Sequence, residues 1–468
     1  MYIIRGASVD AMNGVKKIEI LDRAYAVNDG VWSRGNYARA RFENEIDRQP
    51  FSSEYIRTIT MCLHISGRCN LKCKYCFGVE CGDDLTFDEV RKFIEHVTVL
   101  YPRADRYIVD MSGAGEPLLK LDAILKIAEY CGELSDKYVR EFLPTLVTNG
   151  TLLSADTVKK LQSAGVLFGV SLDGAKNDND RNRVFADGSG SYDIVRSNIE
   201  AIEHKDYVGI ATTYTDKSAL LDGFLSSVEL VPTVSMKPVR SNGEAFDAEM
   251  ICAEYDRLVR YVLDKHIDGE TKFIFALING DDYFGKFLKR VACGISVYGR
   301  CDAGVGRFAL APDRNIYCCP AAIGNADCKV GDLENGIRQS KVDKMWRALN
   351  NRACSGCYAR SACGGECKIV SYNKFGELDK IDDNICIIKR RLFALSVYYC
   401  DCLSERNAEQ YNWLKDTALK AESYYMRDEK LIDAVLLSNG DYTFTQLKKI
   451  KDNDIDEFEK IYSRLKGG

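Results

Sequence analysis

The sequence predicts an α/β protein: a partial (β/α)6 barrel followed by a cysteine-rich domain and a helical C-terminal extension. Strand and helix patterns alternate through residues 56–240, which indicates a parallel sheet. Ten cysteines crowd into residues 293–386, and helical patterns with charged faces fill the last part of the chain. We therefore expect an N-terminal extension at 1–55, the barrel at 56–270, the cysteine-rich domain at 271–390 and the extension at 391–468.

The barrel elements are predicted one after another. The first strand is expected at residues 58–65, and the first helix at 85–100 with Thr86 as its cap. The remaining strands are expected at 107–112, 145–147, 167–172 and 208–213, and the remaining helices at 118–134, 154–164 and 192–203. About six such units indicate an open barrel rather than a closed one of eight strands. In the extension we expect helices at 406–427 and 441–466.

Composition excludes several functions. The 468 residues carry a net charge of −5, from 64 basic and 69 acidic residues, so we expect no nucleic-acid surface and no affinity for anionic membranes. No apolar run reaches transmembrane length and no apolar signal region is found, so we expect a soluble cytoplasmic protein. In that reducing compartment, 19 cysteines favour metal sites over disulfides, and the 4 histidines lack metal-ligand spacing.

A cysteine motif follows the first predicted strand. Cys69, Cys73 and Cys76 are spaced Cys-x3-Cys-x2-Cys in the loop at residues 66–78. One tight loop with this spacing brings three thiolates around one iron–sulfur cube and leaves the last iron for another ligand. A zinc site is the alternative, but zinc usually takes paired Cys-x2-Cys elements with four ligands. The loop lies where a parallel sheet or barrel places its chemistry, at the carboxyl end of a strand.

This loop resembles the signature of the radical S-adenosylmethionine (SAM) enzymes, in which an aromatic residue, here Tyr75, precedes the last cysteine. The resemblance implies an open (β/α)6 barrel that binds SAM. It also implies a [4Fe-4S] cluster held by Cys69, Cys73 and Cys76. The segment Gly113, Gly115, Glu116 and Pro117 resembles the family's Gly-Gly-Glu-Pro element, with Ala114 as an added residue. There Glu116 would bind the ammonium group of the methionine part of SAM.

Three further residues stand at predicted strand ends where the family contacts methionine or ribose: Thr148, Asn149 and Ser171. Simple capping roles are the alternative for them. Downstream, Asp180 and Arg183 match a His-Asp-x-x-Arg element that is common in the peptide-modifying branch of the family. Asn179 replaces the histidine of that element, so no histidine role is carried over.

The second group of cysteines resembles the SPASM extension of radical SAM enzymes, which holds two auxiliary [4Fe-4S] clusters. By this resemblance the distal cluster is bound by Cys354, Cys357, Cys363 and Cys386. The proximal cluster is bound by Cys301, Cys319 and Cys367, with Cys293 as the fourth ligand. Cys318 is an alternative to Cys319, and a pair of zinc ribbons is the alternative for the whole region. Arg314 stands where the family usually has glycine, so we expect the hairpin turn there to differ locally.

The resemblance implies an enzyme with three [4Fe-4S] clusters, one that binds SAM and two auxiliary. Reductive cleavage of SAM would give a 5′-deoxyadenosyl radical that abstracts hydrogen from a ribosomally made precursor peptide. The product would carry an oxidative cross-link, either a thioether or a C–C or C–O bond. A flavodoxin or ferredoxin would supply electrons. Two alternatives remain: an anaerobic sulfatase maturase forming formylglycine, and a non-catalytic iron–sulfur electron-transfer protein. The sequence identifies no catalytic acid or base.

Overall fold

The computed structural model describes residues 16–28, 31–34, 56–76, 78, 83–113, 115–205, 208–239, 247–280, 282–295, 297, 302–349, 354, 357–378, 380–423 and 428–467. Of the residues expected at the site, Ala114 and Cys301 lie outside these ranges. The N-terminal extension contains an antiparallel sheet of β1 (Lys16–Ile20), β2 (Arg23–Asn28) and β3 (Val31–Arg34).

Six parallel strands form the centre of the fold, as the sequence predicted. They are β4 (Thr58–Leu63), β5 (Arg106–Asp110), β6 (Glu141–Thr148), β7 (Leu167–Ser171), β8 (Val208–Tyr214) and β9 (Thr233–Pro238). The helices between them are α1 (Phe87–Leu100), α2 (Leu121–Tyr138), α3 (Ala155–Ser163), α4 (Lys176–Asn182), α5 (Tyr192–Glu200) and α6 (Leu220–Val228). The sequence analysis did not predict α4, α6 or β9, and the ends of the other elements differ from prediction by a few residues.

Strand alternation explains how the sheet separates its two faces. Along β7 and β8 the side chains of Phe168, Val170 and Ile210 are buried in the main apolar core. The alternate positions, such as Gly169 and Ala211, are only half-buried on the opposite face. Burial of the apolar face holds the sheet against its helices. The predicted cap of α1 is confirmed, since Thr86 and Glu89 form a reciprocal capping box.

The cysteine-rich region extends the same sheet beyond β4. Three helices lead to it: α7 (Ala248–Ile267), α8 (Lys272–Asn279) and α9 (Tyr283–Cys293). The added strands are β10 (Arg307–Leu310), β11 (Asn315–Tyr317), β12 (Lys329–Asp332) and β13 (Gly336–Ile337). β10 pairs parallel with β4, and β11 to β13 follow it antiparallel. The described sheet therefore has ten strands in the order β13-β12-β11-β10-β4-β5-β6-β7-β8-β9.

Arg314 lies in the turn between β10 and β11, where we expected a local difference. Its φ is +62°, so it adopts the left-handed conformation for which glycine is usual. Its guanidinium forms an ion pair with Glu89 at 2.7 Å, a contact that glycine could not make. The expectation was wrong for the backbone, because the turn keeps a positive φ. The difference lies in the side chain.

The remaining helices are α10 (Gln339–Leu349), α11 (Arg360–Cys363), α12 (Lys368–Phe375), α13 (Asp383–Arg406), α14 (Ala408–Ser423), α15 (Glu429–Leu437), α16 (Phe444–Asn453) and α17 (Ile455–Gly467). The predicted single helix at 441–466 is therefore two helices. Asp454 interrupts it with φ −149°, and its side chain accepts a hydrogen bond from the Glu457 N–H at 2.9 Å. In the described part of the chain, helices long and apolar enough to cross a membrane are absent.

The last three helices have an apolar core of their own, formed by Leu431, Ile432, Ala434, Phe444, Leu447, Phe458 and Ile461. This small bundle contacts the barrel through α2 and the start of β6. The Thr445 N–H donates to Asp136 at 2.8 Å, and Lys448 forms an ion pair with Glu141 at 3.2 Å. The helical extension that the sequence predicted is thus packed against the barrel.

Candidate active site

The three-cysteine loop leaves the carboxyl end of β4 and is held by the end of α4 and the residues directly after it. Cys69 and Cys73 are half-buried and Cys76 is exposed. The Lys72 N–H donates to the Val184 carbonyl at 2.8 Å, and the Lys74 N–H donates to the Asn182 carbonyl at 3.0 Å. The backbone on both sides of Cys73 is therefore anchored to the same neighbouring segment.

Glycine is required where the loop meets the predicted Gly-x-Gly-Glu-Pro element. Gly115 has φ +97°, and a Cβ built there would lie 2.4 Å from the Arg68 carbonyl oxygen. The adjacent Glu116 N–H donates to that same oxygen at 2.9 Å. Gly113 has φ +42°, and its Cβ would lie 3.0 Å from the Leu63 carbonyl oxygen. The two segments therefore approach backbone to backbone, with no room for a side chain at Gly115.

Glu116 is buried at this junction, with 1% of its surface exposed. Its carboxylate accepts hydrogen bonds from the Thr148 hydroxyl at 2.6 Å, the Asn149 N–H at 2.7 Å and the Leu118 N–H at 3.0 Å. Burial raises the pKa of Glu116, and these three donors oppose the rise. Pro117 begins a short 3-10 helix directly after it. A carboxylate held in this way is suited to bind a cation.

Asn149 connects Glu116 to the cysteine loop. Its side-chain amide donates to the Asn70 Oδ1 at 2.8 Å and lies 3.8 Å from the Cys69 sulfur. Asn70 in turn donates to the Thr151 hydroxyl at 2.8 Å. The structure thus brings together Glu116, Thr148 and Asn149, three of the predicted residues. It adds Asn70 and Thr151, which the sequence analysis missed. Ser171 is half-buried at the end of β7, on the same edge of the sheet.

Tyr75 is connected to a buried ion pair that the sequence analysis did not assign to the site. Its hydroxyl donates to the Asp173 carboxylate. Arg183 lies over the Tyr75 ring, 5.5 Å from its centroid, and its Nε is 3.1 Å from the Asp173 Oδ1. Asn179, at the position of the family histidine, donates to the Ser191 hydroxyl at 3.2 Å and has a structural role here. Asp180 accepts from the Tyr192 N–H at 2.8 Å.

The four cysteines expected to bind the distal cluster line one pocket. It is lined by Cys354, Cys357, Cys363, Cys386, Arg360, Glu366, Lys389 and Arg390, among others. Lys389 is buried and donates to the Glu366 carboxylate at 2.9 Å and to the Gly365 carbonyl at 2.8 Å. Burial raises the pKa of the Cys386 thiol to about 12, and the charge of Lys389 opposes this rise. Four thiols around one pocket, with cations beside them, fit a negatively charged iron–sulfur cluster.

The described cysteines expected at the proximal cluster lie at the ends of three different helices: Cys293 ends α9, Cys319 precedes the 3-10 helix Pro320–Ala322, and Cys367 precedes α12. Cys319 is buried and Cys367 is half-buried. The Cys293 thiol lies at the end of α9 and donates to the Lys415 carbonyl of α14 at 3.6 Å. The N–H of Cys318, directly after β11, donates to the carbonyl of Cys328, directly before β12, at 2.9 Å. The roles of these residues stay predictions.

Among the described residues, three or more Cys, His, Asp or Glu side chains do not converge as they would around a single metal ion. A four-iron cube spreads its thiolates more widely than one ion does, because each sulfur binds a different iron. The donor set of the three-cysteine loop and of the distal pocket is all thiol, which fits iron–sulfur clusters.

The fold and site therefore define an open α/β-barrel enzyme with a three-thiol cluster loop next to a buried carboxylate. Residues 63–215 match the family described as the Radical SAM superfamily. An AdoMet-dependent heme synthase of Methanosarcina barkeri (strain Fusaro / DSM 804) is 33% identical over 351 residues, 67% of this chain and 92% of the relative. The chain belongs to the radical SAM superfamily, and it accordingly uses SAM and a [4Fe-4S] cluster.

Two other similarities are informative. A cysteine-type anaerobic sulfatase-maturating enzyme of Clostridium novyi (strain NT) is 26% identical over 333 residues, 65% of this chain and 86% of the relative. The solved structure of native anSMEcpe with bound AdoMet and Cp18Cys peptide superposes with a TM-score of 0.58 and 17% identity, covering 78% of this chain and 99% of that one. The predicted fold and family are confirmed. The chain is an enzyme and not the non-catalytic electron-transfer protein considered as an alternative.

Proposed function

We propose that this enzyme removes two hydrogens from a peptide and installs an oxidative cross-link, a thioether or a C–C or C–O bond, in a ribosomally made precursor. When bound, the reduced cluster and SAM supply a 5′-deoxyadenosyl radical that takes hydrogen from an unactivated carbon. Similarity to a sulfatase-maturating enzyme and to a fold solved with a bound peptide supports a peptide or protein as the substrate class.

The face of the barrel sheet turned away from the helices carries this proposal. On β7 and β8 all but one of its half-buried positions are small or hydroxylated, Leu167 at the start of β7 being the exception: Gly169, Ser171, Gly209, Ala211 and Thr213. Such a surface leaves space and offers hydrogen bonds, as the backbone of a peptide requires. A large apolar cofactor-like substrate would favour an apolar and aromatic lining instead.

The residues of the site take the following roles in this proposal. Cys69, Cys73 and Cys76 bind the cluster, and Glu116 binds the ammonium group of SAM in a water-poor position. Gly113 and Gly115 allow the close approach of the two segments, while Thr148 and Asn149 fix the Glu116 carboxylate. Tyr75, Pro117 and Ser171 complete the SAM site.

The cysteine-rich region would hold two auxiliary [4Fe-4S] clusters, which would supply sites for electron transfer. The distal one is bound by Cys354, Cys357, Cys363 and Cys386. The proximal one is bound by Cys293, Cys301, Cys319 and Cys367. The pocket lined by the four distal cysteines supports the first of these assignments. A flavodoxin or ferredoxin supplies the electron that starts each cycle.

Two specific similarities favour other products. The sulfatase-maturating relative favours oxidation of a Cys or Ser side chain to formylglycine in a protein substrate. The heme synthase relative, which is the more similar in sequence, favours a porphyrin. Both alternatives retain the same cluster loop and SAM site, so the substrate distinguishes them.

The test offers the reconstituted enzyme three substrates under anaerobic conditions with SAM and dithionite. These are a cysteine-rich precursor peptide encoded beside the gene, a sulfatase-derived peptide and an iron porphyrin. We expect the precursor peptide to lose two hydrogens by mass spectrometry, with 5′-deoxyadenosine formed in step. Formylglycine in the sulfatase peptide, or a changed porphyrin with both peptides intact, would reject the cross-linking proposal.

A further inference from the structure

A buried ion pair lies directly beside the cluster loop. The side chains of Asp173 and Arg183 are 2% and 10% exposed, and their Oδ1 and Nε atoms are 3.1 Å apart. Asp173 is fixed from two other sides, because its Oδ1 accepts from the Thr213 N–H at 2.9 Å and its own N–H donates to the Asn179 Oδ1 at 3.2 Å. A charge pair held this rigidly cannot reorient as freely as water when a nearby charge changes.

Both members of the pair are in contact with the loop. The Tyr75 hydroxyl donates to Asp173, and the Arg183 guanidinium lies 5.5 Å from the centroid of the Tyr75 ring. The two backbone hydrogen bonds that anchor the loop end at Asn182 and Val184, the immediate neighbours of Arg183. These contacts hold the loop and the charge pair in a fixed position relative to each other.

The electrostatic effect of Arg183 reaches the cluster ligands. The backbone N–H groups of Lys72 and Lys74, the neighbours of Cys73, donate to the carbonyls on either side of Arg183 at 2.8 and 3.0 Å, so the two residues face each other across paired backbone. A buried guanidinium fixed in this place favours any added negative charge on a cluster bound by the loop.

Reduction of the cluster adds one electron and no proton, so a fixed charge nearby changes its potential directly. A positive charge stabilises the reduced form, and a negative charge destabilises it. We propose that the pair of Arg183 and Asp173 sets the reduction potential of the loop cluster, with Arg183 raising the potential and Asp173 limiting that rise. Tyr75 is a positioning residue that holds the pair against the loop.

This inference rests on the cluster loop and not on the proposed substrate. A pair that only holds the loop in place would give a different result. In that case, loss of either charged residue would loosen the loop in the same way. The midpoint potential would then change in the same direction in both variants, or both would lose iron. Charge control predicts opposite directions for the two residues, because the removed charges have opposite signs.

The test is a potentiometric titration of the reconstituted full chain, without peptide or SAM, followed by electron paramagnetic resonance. The loop-cluster signal is identified as the part that Cys73→Ala lacks. Arg183→Gln should lower the midpoint potential and Asp173→Asn should raise it. Each change should alter the equilibrium constant for reduction about tenfold, which corresponds to about 59 mV for one electron.

Three variants serve as controls. Arg183→Lys keeps the charge, so its potential should stay close to that of the wild type. Tyr75→Phe removes the hydroxyl but no charge, and it should change the potential less than either charge substitution. Arg196→Gln removes a matched, more exposed arginine that pairs with Glu200 at 2.8 Å on α5, and it should have no effect.

Shifts in the same direction for Arg183→Gln and Asp173→Asn, or unchanged potentials in both, would overturn the proposal. If Arg183→Gln loses the cluster, Asp173→Asn alone tests the proposal: a higher midpoint potential supports it, and an unchanged or lower one overturns it. If both variants lose iron, the pair is a structural tether and the proposal is wrong. The measurement uses no peptide, so its failure leaves the proposed peptide chemistry untouched.

Discussion

The loop after β4 and the pocket beside α11 differ in how they position cysteines. The loop provides three thiols, and its shape depends on contacts with distant segments: Arg68 against Gly115, Asn70 with Thr151, and Tyr75 with Asp173. The pocket is lined by four thiols, most of them within one short stretch of chain. The difference fits the proposal that the first site keeps one iron open for a ligand while the second is closed by four cysteines.

The largest expected effect is at the open site. Cys73→Ala should abolish 5′-deoxyadenosine formation, because two thiolates hold a four-iron cube poorly and SAM then has no iron to bind. The measurement is chromatographic detection of 5′-deoxyadenosine with dithionite as reductant. Cys131→Ala is the control: that thiol is fully buried in α2, away from both sites, and its loss should leave SAM cleavage intact. SAM cleavage by Cys73→Ala would show that this loop is not the SAM site.

The pocket should respond differently to the same kind of change. Cys386→Ala should remove the distal cluster and stop product formation, yet leave uncoupled SAM cleavage. The amounts of 5′-deoxyadenosine and of modified peptide formed in one reaction show whether SAM cleavage continues without product formation. The comparison between the two sites fails if Cys386→Ala also stops SAM cleavage while the protein remains folded.

A glycine pair tests the backbone contact under the loop. In Gly115→Ala the new methyl group would lie 2.4 Å from the Arg68 carbonyl oxygen, so the loop must shift. Gly188→Ala has a similar φ of +86°, but its Cβ would meet no atom within 4 Å. Both substitutions strain a positive φ, and only the first should reduce iron binding and SAM cleavage. Equal losses in the two variants would mean that strain, and not the contact, is responsible.

A smaller effect is expected at Glu116. Glu116→Gln should weaken SAM binding about tenfold with iron content unchanged, because a charge-assisted hydrogen bond is worth about 1.5–3 kcal/mol. Equilibrium binding of SAM to the reconstituted protein measures it, with iron determined on the same sample. Unchanged affinity would reject the ammonium-binding role of Glu116.

Sequence reasoning succeeded where spacing alone determines structure. The alternation of strands and helices, the parallel pairing of the barrel strands and the cap at Thr86 all follow from local patterns. The distal cysteines were predicted to share a site and are found lining one pocket. In each case the relevant residues are near one another in the chain, or repeat with the period of a strand or helix.

Sequence reasoning failed for residues whose role depends on a contact with a residue far away in the chain. Asp173 lies 98 positions from Tyr75, and Asn70 lies 81 positions from Thr151, so no local pattern links them. Arg314 was also misjudged. It adopts the left-handed conformation although arginine rarely does so, and its side chain forms an ion pair with Glu89. These contacts depend on tertiary packing, which overrides local preference.

We propose that one chain contains an open cluster at the loop and closed clusters in the cysteine-rich region. Iron analysis and Mössbauer spectroscopy of the anaerobically reconstituted protein test it most directly. We predict about twelve irons per chain, falling to about eight in both Cys73→Ala and Cys386→Ala, with the SAM-sensitive signal lost only in the former. About four irons in the wild type, all lost in Cys73→Ala, would contradict the account.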